Sequence, residues 1–137
     1  MLSNDKAFGE AVNVMGDEVI TWNAMYEAIA LAAGLTRPQY AAIALHVPSD
    51  AIVAAFRDHR GHVYGDKIHT AVYNRAKLHR LVPDFKTTTR FADGIRESIA
   101  WYEANPERQE VDAPANSLFD DLSYTYRKAL RDSAIDT

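Results

Sequence analysis

Two tyrosine–lysine pairs, Tyr73 with Lys77 and Tyr124 with Lys128, share the Tyr-x-x-x-Lys spacing. One helical turn at that spacing sets an ammonium beside a phenol and favours the phenolate, a general base. His59, His62 and His69 lie near Asp58 and Asp66, residue types that hold zinc when they converge, yet the spacing matches no common metal motif. His59 falls at an expected helix end, where the helix dipole favours a cation, and His46 reads as a structural hydrogen-bonding group. The segment from Arg60 through His62, Tyr64, Asp66 and Lys67 offers cations that reach an anion. Gly65-Asp66 reads equally well as a tight turn whose aspartate bonds its own backbone. Trp22 and Trp101 read as core side chains. Neither tyrosine is assigned a catalytic role, and no metal site is expected.

The elements that must position these residues follow from periodicity. Thr21 stands at an N-cap position, Trp22, Met25, Tyr26, Ile29 and Ala33 share one helical face, and Gly34 is the stop. Ser49 caps a second helix from Asp50 to about His59, with Ile52, Val53 and Phe56 inward and Gly61 at its end. Asn74 caps a short third helix from Arg75 to about Leu81; Pro83 stops it, because proline disfavours the helical conformation at Val82. On the fourth helix, Phe91, Ile95, Ser98, Ile99 and Tyr102 form one stripe, and Asn105-Pro106 breaks it. Ser117 and Asp120 have capping-box spacing, and Leu118, Leu122, Tyr126 and Ala129 stripe a last helix. Three short strands are expected: Ala11–Met15, closed by Gly16-Asp17; Ala42–Val47, where Ile43, Leu45 and Val47 alternate with smaller or polar residues; and Ala71–Tyr73. The expected fold is thus mixed α/β and helix-rich, with four to five helices and two to three short strands. Residues 1–137 are expected to form a single domain, with 1–9 as a loosely held lead-in and 106–116 as a surface connection.

Composition narrows the function classes. A chain of 137 residues with 47% hydrophobic content can bury one core without staples. The net charge of −4 supplies no basic footprint and argues against nucleic acid as a main partner. Without cysteine, disulfide and thiol chemistry are excluded. No apolar run reaches the ~18 residues of a membrane span, and the polar opening does not read as an export signal, so a cytoplasmic setting is expected.

The ordered set Gly16-Asp17-Glu18-Val19-Ile20-Thr21-Trp22, His46-Val47-Pro48-Ser49, Gly65-Asp66-Lys67, Lys77-Leu78, Leu81-Val82-Pro83-Asp84-Phe85 and Phe91 through Gly94-Ile95 to Trp101-Tyr102 spans most of the chain. In this order it resembles the C-terminal, substrate-binding domain of the NAD-dependent epimerase/dehydratase family, the extended short-chain dehydrogenases/reductases. The resemblance implies a lobe that shapes a sugar-nucleotide-type pocket for a small-molecule substrate while an N-terminal domain holds NAD(P). No two of the six glycines have the spacing of the family's dinucleotide-binding loop. The family's Tyr-x-x-x-Lys pair lies in that other half, so neither pair here has its context. By the resemblance these 137 residues therefore hold no cofactor and carry no isomerase or oxidoreductase activity alone. In sugar-nucleotide epimerases the region before the matching Gly-Asp commonly supplies a diphosphate-gripping arginine. Here His62, Val63 and Tyr64 take that place, leaving Arg60 or Lys67 to reach an anion, so Arg60, His62, Tyr64, Asp66 and Lys67 are the candidate substrate-binding residues. The implied partner is the N-terminal nucleotide-binding domain, and a homodimer is also open. The alternative is a non-catalytic ligand- or partner-binding module derived from that family.

Overall fold

The Thr21 hydroxyl accepts the N–H of Ala24 at 3.2 Å and starts helix α1, Trp22–Ala32, as the N-cap pattern requires. Gly34, at φ +85°, ends it in a left-handed turn that suits glycine. Its N–H reaches Leu31 O, and the N–H of Leu35 reaches back to Ala30 O, the paired bonds of a Schellman motif. A computed structural model of the protein describes residues 4–133. Among them, α2 spans Arg37–Ile43, α3 Ser49–Ala55, α4 Arg60–His62, α5 Ala76–Leu81, α6 Phe91–Glu103 and α7 Ala113–Asp132. A single π-helical turn, Val63–Lys67, follows α4, and short 3-10 turns occur at Asp5–Ala7, Arg57–His59 and Pro106–Arg108.

No strand forms among the described residues, which overturns the mixed α/β expectation. Of Ala42–Val47, helix α2 takes Ala42 and Ile43, and the rest forms neither helix nor strand. Thr36 and Gln39 build a cap, with the Thr36 N–H and hydroxyl both donating to Gln39 Oε1 at 2.8 Å. The helix so begun runs on through Ala41 and Ala42, and alanine favours helix over strand. Ala11–Met15 and Ala71–Tyr73 adopt neither helix nor strand. Their backbone groups make no hydrogen bond with other described residues. A strand is stabilised by its neighbour in the sheet, and these two segments find none.

The chain divides into two compact units. The first comprises residues 1–40 and 71–104. Within it α1 packs on α6, with Met25 and Ile29 half-buried on α1 and Phe91, Gly94, Ile95 and Ile99 half-buried on α6. Ser98 and Tyr102, expected on the same stripe, are exposed. Leu78 on α5 is completely buried, and the Asn74 side chain accepts the Ala76 N–H at 2.7 Å at the start of that helix. Trp22 and Trp101 are 51% and 53% exposed, contrary to the core role their helix positions suggest.

The second unit comprises residues 41–70 and 105–137. Here α3 packs on α7 and on the π-turn, with Val53 and Val63 buried. Ser49 enters α3 as a helical residue and does not cap it; Pro48 holds the cap position. The helix stops at Ala55, where Phe56 turns out of helical geometry, and resumes as the 3-10 turn and α4. Gly61 therefore lies inside helical backbone, not at its end. Asp112 caps α7 by accepting the Ala115 N–H at 3.0 Å, so the helix begins five residues before Leu118, within the expected surface connection. No described helix is long and apolar enough to cross a membrane.

Candidate functional site

The residues singled out between Arg60 and Lys67 share one continuous helical stretch of the second unit. The π-turn carries Tyr64, Asp66 and Lys67, and one-turn π insertions widen a helix and re-aim the side chains on it. Tyr64 is central. Its hydroxyl donates to Asp50 Oδ1 at 2.6 Å, from the first turn of α3. The Arg60 guanidinium stands over its ring, 5.6 Å from the centroid, a cation–π contact. Its backbone carbonyl lies 3.1 Å from His69 Nε2.

The Asp50 hydrogen bond is the main reason the Tyr64 phenol titrates above the ordinary tyrosine value; its burial and the Asp50 charge push the same way. Asp66 pairs with Lys67 at 2.6 Å, and this bond holds its carboxyl below the usual aspartate value. The aspartate is thus engaged with its neighbour's ammonium, and the backbone turn is closed by His69 N–H on Asp66 O at 3.2 Å.

Arg60, His62, Tyr64 and Lys67 are accordingly brought onto one stretch, with Asp50 and Asp66 set among them. Any anion bound there meets two cations already partnered by an aromatic ring and a carboxylate. Asp50 is the participant that sequence reading missed. It lies 14 residues from Tyr64 on another element, and no spacing signals such a pair.

Elsewhere the expected chemistry separates. Tyr73 precedes α5 and is 55% exposed, while the Lys77 ammonium is paired with Glu10. Lys128 pairs with Asp132 at 2.8 Å, one turn along α7. His59 stacks edge-on to Phe56, with ring centroids 6.3 Å apart, beside a shallow depression lined by Arg57, Asp58 and Leu118. Among the described residues no three His, Asp or Glu side chains converge to hold a metal ion.

No protein-family model, curated protein or solved structure matches the chain.

Proposed function

We propose that this chain is a non-catalytic binding module that another folded domain completes. One observation carries the reading. The accessible surface is 11142 Å². Folded monomers of this mass expose about 7100 Å², and even two independent bodies of half the mass expose about 8600 Å². The excess includes Val19, Trp22, Val72, Trp101, Val111 and Phe119, each more than half exposed. Large apolar side chains left this exposed are stabilised by contact with another polypeptide.

The ordered motifs give that polypeptide a character. By resemblance it is the nucleotide-binding half of an NAD-dependent epimerase/dehydratase, acting in the cytoplasm, with NAD(P) held by that half. Arg60, His62, Tyr64, Asp66 and Lys67 then rim the small-molecule substrate of the assembled protein. A second reading, partner binding with no substrate role, is favoured by Asp50 and Asp66, which already occupy the polar groups an anion needs.

Sedimentation velocity of the chain with a separately expressed epimerase/dehydratase nucleotide-binding half tests the first reading. A one-to-one complex is expected, and calorimetry should detect no NAD⁺ binding to the chain alone. Micromolar NAD⁺ affinity of the lone chain, or failure to form a complex, overturns it. If a complex forms, loss of sugar-nucleotide affinity in Arg60→Ala distinguishes the first reading from the second.

A further inference from the structure

We infer that α7 is a self-association surface, on which the α7 of a second copy of this chain packs antiparallel across a two-fold axis. The inference goes beyond the reading above and stands whichever domain completes the chain.

A line of side chains along α7 is left uncovered by its own unit. Leu118, Leu122 and Tyr126 are half-buried on one side of the helix, which packs on α3. Phe119 and Leu130, on the neighbouring line through Ser123, are 61% and 50% exposed. Asp120, Arg127 and Arg131 run along the outer flank of that line.

These charges are not resolved within the chain. Neither the Asp120 nor the Arg131 side chain has a hydrogen-bond or ion-pair partner among the described residues. Arg127 donates to the Ile43 carbonyl at 3.1 Å, and Arg131 follows one turn later, a like-charge spacing that weakens an isolated helix. Asp120 lies two turns into α7, past the Asp112 cap and past the first-turn reach of the helix dipole, so neither accounts for a carboxylate there.

The charges identify the occupant. A two-fold axis across two antiparallel helices keeps a flank of one beside the same flank of the other, and every contact is reciprocal. One register then sets Phe119 of each copy on Leu130 of the other and Asp120 on Arg131, so each apolar contact and each ion pair forms twice. A parallel pair would set the charged flank against the side carrying Leu122 and Ala129, with no charge to meet. Ser123, small and near the crossing, lets the helices approach closely. Because the apolar part is limited to the Phe119 and Leu130 contacts, the dimer is weak, with a dissociation constant on the order of 10–100 µM.

Sedimentation velocity of the full chain at rising concentration tests this. The parent should shift from one copy to two. Asp120→Arg and Arg131→Asp should each weaken association by about tenfold or more with the helical circular dichroism unchanged, because like charges then face each other at both symmetric positions. An equimolar mixture of the two variants should dimerise at least as well as the parent, since every arginine then meets an aspartate. That rescue follows from antiparallel pairing, and a change in helix stability cannot produce it. A parent that stays monomeric to about ten times the expected constant, association unmoved by either reversal, or a mixture that stays monomeric overturns the inference and leaves the functional reading standing. A parent that dimerises yet forms no complex with the nucleotide-binding half overturns the functional reading alone.

Discussion

Glu18 Oε2 accepts the backbone N–H of Phe91 at 2.7 Å, so a carboxylate 73 residues earlier in the chain caps the start of α6. Arg90, at the N-cap itself, makes no side-chain cap bond, and the remote carboxylate fills that role with a charge the helix dipole favours. One residue before it, the Asp17 N–H donates to Thr87 Oγ1 at 3.3 Å, stitching the same turn to the approach to α6. Glu18→Ala should lower the stability of the first unit by about 1 kcal/mol, the usual worth of an N-cap, and Glu18→Gln by less because an acceptor remains. Thermal melts of the three proteins check it; equal midpoints for Glu18→Ala and the parent would show that the contact contributes nothing.

Leu78 is the only fully buried large side chain among the described residues. Leu78→Ala should cost about 2–5 kcal/mol, the range for a buried leucine that leaves a cavity. In a chain with so little other core, that loss should release α1 and α6 from protection in hydrogen exchange. Val72→Ala, at a position 61% exposed, serves as the control and should change stability by less than about 0.5 kcal/mol.

The Tyr64–Asp50 bond predicts a pH dependence of defined sign. The folded phenol is raised above its unfolded value because it donates to Asp50. Its contribution to stability is therefore complete below the ordinary tyrosine value near 10 and is lost as the pH rises through the folded one. Ultraviolet titration, with Tyr64→Phe subtracted, should place this phenol above the ordinary tyrosine value. Asp50→Asn should bring it down; an unmoved titration would contradict the contact.

At the other end of the scale, Glu10 is held below the ordinary glutamate value, first by its hydrogen bond to Lys77 and then by the charge on that lysine. The stabilisation it gives is present above the unfolded value near 4.5 and disappears as the pH falls through the folded one. Carbon-detected NMR should show the Glu10 carboxyl titrating below the ordinary glutamate value. Lys77→Met should erase the difference, and the anchored end of Ala11–Met15 should loosen with it.

Much of the helix pattern was legible. Thr21, Gly34, Pro83 and the Phe91–Ile99 stripe each act within one or two turns of themselves, and each does locally what its chemistry predicts, whereas Asn74 accepts the Ala76 N–H from one residue before the cap position, which is Arg75. The Thr36-Gln39 cap with Pro38 in the first turn was an equally local signal for α2; an alternation of apolar residues after it suggested a strand instead. Asp112 as the cap of α7 was likewise readable from Pro114 at the helix start, but the later Ser117 drew the boundary too far along.

The amino-acid order by itself determined where α1, α5 and α6 lie, the absence of thiol chemistry, and the charge balance, because all three depend on residues acting alone or on near neighbours. Only the tertiary structure decided that Glu18 caps Phe91, that Asp50 holds Tyr64, and that Ala11–Met15 finds no backbone partner among the described residues. Such contacts join positions many residues apart, and a strand exists only when a second one lies alongside it. Local sequence can state the preference for extended backbone, but the hydrogen bonds that fix it belong to another part of the fold.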